Sequence, residues 1–490
     1  MPASFRGEAV ARLPASLLLC VAAMENRCDV VVIGAGLGGM LAAAMLARRG
    51  RRVVLLEKEL SAGGRLRSFE VDDFVVDAGS YLWPNAHLDR ALAAAGATGF
   101  RGSSMPSDQV MRVFVEGQGG ARFSFPWPGR SESPKLLAAA EAALGADAAT
   151  YRELSALWQR LADLTDAEVD ALEHVPLRDV LPAWTQDPRV RAAFLKNVMV
   201  FGTYDPLSAS AAECIRLRRR RTGGAVPRPE CAGDNPAGGV RALALTLQSA
   251  VERAGVDLRL GCEVDQIAVD GGAVQGVLAH GPGPWRERIE APVVVCNAPV
   301  WQLFGMIAPE LFPEDFVASA RSWSVVGGVI ASAFAFDRLP TLRATGEPDR
   351  YLGWTRLLIG PSSEFGGGLL WSSLHSPRNA PGEACVLQAM RLSPQADLAD
   401  ARRVDAVTRS FHTLVHEIYT DAAERLLWTR SWISRDGSEY MVSAAKRPRV
   451  AAPGVGGLYL VGETTDVGAV QMDAAALSAL RCADLVTGAA

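Results

Sequence analysis

Residues 31–40 read VVIGAGLGGM, and Gly34, Gly36 and Gly39 stand in the spacing Gly-x-Gly-x-x-Gly. The chemistry such a run performs is anion capture. Gly34 allows a tight turn, Gly36 lets main chain approach a pyrophosphate, and Gly39 lets a helix pack closely on a strand. The residues that open the helix, Leu37 and Gly38, offer N–H groups and the positive end of the helix dipole to phosphate. Glu57 closes the next apolar run, eighteen positions after Gly39. A carboxylate there accepts from both ribose hydroxyls and repels a 2′-phosphate, which disfavours NADP. A second strand–turn–helix lies at the other end of the chain. It is LYLVGETTDVGAVQMDAAAL, residues 458–477, with Gly462-Glu463 in its turn.

The residues after Glu57 separate the dinucleotides. Gly63-Gly64-Arg65 comes shortly after the acidic strand, and Asp77-Ala78-Gly79 after that. This order resembles the N-terminal fingerprint of the FAD-dependent flavin amine oxidase and phytoene desaturase superfamily. The resemblance implies FAD as cofactor, with Gly63, Gly64 and Arg65 along its pyrophosphate and Gly79-Ser80-Tyr81 close to the flavin ring. It further implies a main-chain contact from Val264 to the adenine, within GCEVDQI. Gly462-Glu463 would contact the pyrophosphate and ribityl chain. The start of the last helix, Met472 and Asp473, would face flavin N1 and C2=O, where a helix N-terminus stabilises negative charge. The closing turn then is the far wall of the first site, not a second one. Asp473 is expected as the N-cap of that helix. Gly462-Glu463-Thr464 is closer to the amine oxidases, and the PG-rich run of the carotenoid desaturases does not come after it.

Amine oxidases of this group hold a Lys near flavin N5. The corresponding run WSVVGGVIASAFAFD (323–337) has none, and the chain contains only Lys58, Lys135, Lys196 and Lys446. Trp432 and Tyr440 are the candidates for an aromatic cage. Trp323, Trp354 and Trp371 suit an apolar pocket, although aromatic residues on strands more often pack in a core. These features point to a phytoene-desaturase-like enzyme that passes hydride from a C–H bond of an apolar substrate to flavin N5. The alternatives are a flavin-dependent amine or amino-acid oxidase releasing hydrogen peroxide, an FAD-dependent isomerase, or a flavin-binding protein without catalysis. Tyr81 and Trp83, beside the expected flavin contact, are the catalytic candidates.

The elements that must position these residues are legible in outline. Asp29–Ile33 and Arg52–Glu57 are buried-strand runs on either side of the helical pattern LGGMLAAAMLARRG, which begins a parallel βαβ sheet. Residues 86–230 read as mostly helical. After the Pro/Gly-rich stretch 227–239 come a helix, a hairpin with a Gly271-Gly272 turn and the strand APVVVCNAP. Residues 320–395 carry several β-like runs, 398–427 are helical, and a strand and helix close the chain. The fold class expected is α/β, a discontinuous Rossmann-like FAD-binding domain (26–85, 231–300 and 447–490) with an inserted α+β substrate domain (86–230 and 301–446). Residues 1–23 read as a disordered extension.

Composition narrows the class. With 50 basic and 54 acidic residues the net charge is −4, which argues against nucleic acid as a partner. The run Arg216–Arg221 reads as a solvated loop or helix end, and a peripheral membrane contact stays open. Eight scattered cysteines without a CxxC suit reduced thiols in the cytoplasm. His412 and His416 share a helix face without an accompanying carboxylate motif, so no metal is expected. The small-molecule partner is an apolar or amine substrate, and the oligomeric state is undetermined by sequence.

Overall fold

The computed structural model describes residues 26–78, 87–98, 102–103, 111–115, 121–125, 148–199, 203–222, 235–236, 239–281, 286–323, 325–352, 354–359, 367–438, 447–467 and 471–488. The N-terminal residues 1–23 lie outside these.

A five-stranded parallel sheet is assembled from distant pieces of chain. Its order is Leu458–Leu460, Val294–Cys296, Val30–Ile33, Val53–Glu57 and Asp257–Leu260, every neighbour parallel. Val30–Ile33 and Val53–Glu57 are buried along their whole length, as expected of a sheet covered on both faces. Helices Leu37–Arg48, Gly239–Arg253 and Gln471–Thr487 share one core with this sheet, through Met40, Met45, Leu243, Leu247 and the alanines of the closing helix. Small residues such as Ala42–Ala44 and Ala474–Ala476 let these helices lie close together. The other face packs Ile267, Val277, Ile289, Phe312 and Phe316. Three of those come from the antiparallel sheet Glu263–Asp270, Ala273–His280 and Arg286–Glu290, whose hairpin turns at Gly271-Gly272 as expected.

A seven-stranded sheet forms the other large layer. Its order is Leu426–Ser438, Val325–Phe336, Cys385–Pro394, Gly367–Trp371, Trp354–Ile359, Met111–Val115 and Ala121–Phe125. Helix Ala401–Ile418 covers one face with Phe411, Val415 and Ile418 against Phe334, Phe336 and Leu387. The hairpin Ser68–Val71/Phe74–Asp77 lies on the other, with Phe74 edge-on to Trp428 and Phe69 edge-on to Trp432, both at 5.2 Å. A helical unit, 148–222, has its own core around Leu157, Trp158, Phe194 and Ile215. In it Arg216, at the head of the basic run, pairs with Asp170, Glu173 and Glu213.

The structure departs from the sequence reading in three places. Met111–Val115 and Ala121–Phe125 are strands in a stretch expected to be helical. ARFSF alternates apolar and polar residues, a period-2 signal that the neighbouring alanine-rich helices drown, and MRVFV is apolar apart from Arg112. Leu426–Ser438 is a thirteen-residue strand where helix was expected to run to 427. Helix Leu88–Ala95, assigned by sequence to the substrate side, buries Leu88, Ala91, Leu92 and Ala95 in the core of the parallel sheet.

One charged network is buried within the seven-stranded layer. Arg112 makes two parallel 2.8 Å hydrogen bonds to Asp349, whose Oδ2 also accepts from Trp371 Nε1 (3.0 Å) and Tyr419 OH (2.6 Å). Burial alone would raise the Asp349 carboxyl. Arg112, then Trp371 and Tyr419, more than offset it and hold the carboxyl below its usual range.

Candidate functional site

The first turn presents its main chain, with the Asn297 side-chain amide beside it. Gly36 caps helix Leu37–Arg48 without any side-chain hydrogen bond, so the first N–H groups of the helix point outward unclaimed by a cap. Glu57 braces the turn from below: Oε2 accepts from Ala35 N at 2.7 Å and Oε1 from Glu59 N at 3.0 Å. A carboxylate has about four acceptor positions, so capacity is left over for hydroxyl donors. Gly63 N donates to Ala35 O at 2.8 Å, and Gly64 lies against Gly36. The structure therefore brings Gly34, Gly36, Leu37, Gly38, Gly39, Glu57, Gly63 and Gly64 together as expected.

The closing turn meets the first across Asn297. Asn297 N donates to Ile33 O at 2.8 Å, and its Nδ2 reaches Gly34 O at 3.3 Å. A Cβ on Gly38 would fall 2.7 Å from Asn297 Oδ1 and 3.2 Å from Gly462 N, which explains glycine at 38 by close approach. Gly462 has φ +117°, a conformation that side chains oppose, and its N–H donates to Ser478 Oγ at 2.9 Å. Strands 30–33, 294–296 and 458–460 are adjacent, so Gly34, Asn297 and Gly462 form one edge at their C-terminal ends. Ligands of open α/β sheets bind at that end. Arg65 and Glu463 stand there too, joined by a 2.6 Å ion pair.

Asn297 and Ser478 were missed from sequence, where the apolar run before Asn297 read only as a strand. A polar residue directly after a buried parallel strand is the signal that would have found it. Thr465, also missed, is 1% exposed, and its Oγ1 has no hydrogen-bond partner among the described residues.

Asp77 anchors the hairpin to both layers. Its Oδ1 accepts from Ser68 Oγ (2.7 Å) and from Val240 N (3.1 Å), and its carbonyl accepts from Gln388 Nε2 (2.7 Å). Burial pushes its carboxyl up to about 6, against the lowering effect of the Ser68 and Val240 hydrogen bonds. Gly79, Ser80, Tyr81 and Trp83, the next residues along the chain, lie outside the described residues.

At the closing helix the sequence expectation needs correction. Helix Gln471–Thr487 starts two residues before Asp473, so Asp473 sits within the first turn and is not its N-cap. Its Oδ1 instead accepts from His87 N at 2.7 Å, and its Oδ2 lies 4.0 Å from His87 Nε2. The carboxylate is thereby turned toward the start of helix Leu88–Ala95. The Met472 side chain belongs to the core of the parallel sheet, which leaves its main chain for any ligand. Val264 is buried beside the end of Val53–Glu57, where Cys262 N donates to Glu57 O at 2.8 Å. The ladder is irregular between Val264 and Gln266.

For two of the aromatic candidates the core alternative holds. Trp323 is buried in the helical core, Trp371 is committed to Asp349, and Trp432 packs on Phe69. Trp323 and Trp371 fill cores, whereas Trp432 is part-exposed. The side chain of Trp354, and Tyr440, lie outside the described residues. His412 packs edge-on against Phe334 at 4.9 Å.

The family described as flavin containing amine oxidoreductase matches residues 37–487. A zeta-carotene-forming phytoene desaturase of Myxococcus xanthus is 28% identical over 286 residues, 55% of this chain and 53% of that protein. A chloroplastic prolycopene isomerase of Daucus carota is 25% identical over 318 residues, 57% of this chain and 47% of that protein. The chain thus spans about half the length of the curated relatives it matches. Among solved structures, wild-type putrescine oxidase bound to putrescine superposes with TM-score 0.68 at 16% identity, covering 94% of this chain and 99% of that one. That likeness is one of fold.

Proposed function

The chain belongs to the flavin-containing amine oxidoreductase family, and from that premise we propose that it is an FAD-dependent dehydrogenase or desaturase of an apolar small molecule. The observation that carries the reading is the sheet face beside the hairpin. On it, Val325–Phe336 and Cys385–Pro394 present Val329, Ala331, Met390 and Leu392, and neither strand carries a lysine. Lys58, on the loop after Glu57, is exposed.

The described residues fit FAD. A helix N-terminus without a side-chain cap, a braced acid with spare acceptor capacity and the buried, unpartnered Thr465 hydroxyl at the closing turn suit a dinucleotide. In this reading the Gly34–Gly39 turn and Arg65 hold the pyrophosphate and Glu57 the ribose. Val264 meets the adenine through main chain, Gly462 and Glu463 meet the ribityl chain, and the main chain at Met472 and Asp473 meets the pyrimidine edge. For Gly79, Ser80, Tyr81 and Trp83, outside the described residues, the proposed roles are those the resemblance implies: a flavin contact for Gly79-Ser80-Tyr81, with Tyr81 and Trp83 as catalytic candidates. FAD supplies the hydride acceptor. The apolar face would orient the substrate and shield the C–H bond that loses hydride, and the proton of the neighbouring carbon would leave to bulk water as the C=C bond forms.

The domain division proposed is 26–85, 231–300 and 447–490 for the cofactor, joined by helix Leu88–Ala95 through its packing, with the rest of 86–230 and 301–446 for the substrate. A cytoplasmic location is supported by five buried thiols that form no disulfide among the described residues, Cys28, Cys262, Cys296, Cys385 and Cys482. No described helix is long and apolar enough to cross a membrane.

The test is anaerobic turnover of phytoene with a quinone acceptor, run beside a panel of primary amines assayed in air for peroxide. Dehydrogenated polyene with no peroxide supports the reading. Peroxide from an amine assigns an oxidase, and a rearranged polyene without quinone reduction assigns an isomerase.

A further inference from the structure

Alternation along Val325–Phe336 sorts its residues between the two faces of the seven-stranded sheet. A Cβ at Gly328 would meet Leu398 at 2.9 Å, and Leu398 belongs to the core under helix Ala401–Ile418. Gly327, Val329, Ala331 and Ala333 therefore face the opposite way. Ala333 packs under the hairpin with Phe74 and Val76. The ladder to Cys385–Pro394 runs without a register break and sets Leu392 beside Val329 and Met390 beside Ala331. Past the hairpin the cover changes: Val329, Met390 and Leu392 are part-exposed. The result is an apolar floor that emerges from beneath the hairpin.

Its outer end is stopped by a residue of the helical unit. A Cβ built on Gly327 would fall 2.5 Å from Cδ1 and 2.8 Å from Cγ of Tyr204. The phenol ring thus rests on the strand where only glycine leaves room for it. From Ala333 to Gly327 the strand advances six residues, ~20 Å.

We propose that Tyr204 is a specificity-determining residue that sets the length of apolar chain this floor accepts. Its ring, seated on Gly327, is the outer wall. A chain lying along the strand and longer than the floor must displace the ring or bind only in part. The inference rests on the reading of this face as the substrate surface, and it adds the residue that selects among apolar substrates by length.

The experiment uses the FAD-loaded full chain and its Tyr204→Ala, Tyr204→Trp and Tyr204→Phe variants. Dissociation constants for retinol and for phytoene, in the same detergent, are read from flavin fluorescence. Tyr204→Ala should shift the preference toward phytoene by about tenfold, the scale of discrimination that one methylene gives in a hydrophobic pocket. Tyr204→Trp should shift it toward retinol, and Tyr204→Phe should match the parent. An unchanged ratio in both the Ala and Trp variants, with FAD content intact, overturns the proposal. Where Tyr204→Ala fails to fold, Tyr204→Leu takes its place. Should neither polyene bind the parent protein, the polyene reading is what fails. Butylamine and dodecylamine then carry the same length comparison in the same variants, and an unchanged ratio there overturns the role of Tyr204.

Discussion

Arg65 Nη1 and Glu463 Oε1 are 2.6 Å apart although 398 residues separate them in the chain. The pair joins the loop beside the first turn to the closing turn, so two charges proposed to flank one cofactor balance each other before any ligand is considered. Arg65 is the more exposed partner, 42% against 12% for Glu463.

Arg65→Ala should weaken FAD binding about tenfold to a hundredfold, the range expected for loss of a charged hydrogen bond. Glu463→Gln, which keeps the shape and removes the charge, should weaken it less. Titration of the apoprotein with FAD checks both. Equal affinity in Arg65→Ala and parent would show that Arg65 makes no contact with the pyrophosphate.

The glycines of the first turn should separate folding from binding. A Cβ at Gly36 would meet only the Asn297 side-chain amide, at 2.8 Å, which can swing aside. Gly36→Ala should therefore fold with a near-parental melting temperature and lose FAD. A Cβ at Gly39 would collide with the Gly34 carbonyl oxygen, which is main chain. Gly39→Ala should lower the melting temperature whether or not FAD is present. The reverse pattern in calorimetry would reject this division.

Asp77 predicts a pH dependence of stability. Its carboxyl titrates at about 6 in the fold against an ordinary 3.8, so the folded chain holds this proton more tightly than the unfolded one. That contribution is complete below pH ~4 and is lost as pH rises through ~6, a change of ~3 kcal/mol. Asp77→Asn removes the titration while keeping an acceptor for Ser68 and Val240. Urea denaturation at several pH values should show a flatter profile for the variant between pH ~4 and ~7, and parallel profiles would refute the assignment.

The buried Arg112–Asp349 pair should be costly to halve. Asp349→Leu leaves a guanidinium buried without its carboxylate and should cost ~3–5 kcal/mol. The double replacement Arg112→Met/Asp349→Leu should cost clearly less than the sum of the two singles. Additive losses in a denaturation cycle would mean that the charges do not act as a pair.

How much of this was legible beforehand depends on the distance over which each signal acts. The Gly-x-Gly-x-x-Gly turn, Glu57 and the Gly271-Gly272 hairpin arise from backbone preference and short-range periodicity, and they stand where expected. The strands 111–115, 121–125 and 426–438 were hidden because β-pairing energy comes from partners far along the chain. Asp473 was misjudged for the same reason: a carboxylate near a helix start suggests a cap, but His87 N reaches it from 386 residues away.

By itself, the sequence determined the chemistry available: a Gly-x-Gly-x-x-Gly turn, an acid closing the next strand, a second glycine–acid turn and a run at 323–337 without a lysine. These are local, because φ/ψ preference, helix dipole and alternation act over a few residues. Only the tertiary structure decided that Asn297 ties the two turns together, that Arg65 meets Glu463, and that Tyr204 rests on Gly327. Those contacts depend on which strand ends become neighbours and which face of an alternating strand is covered. Packing of the whole chain sets both.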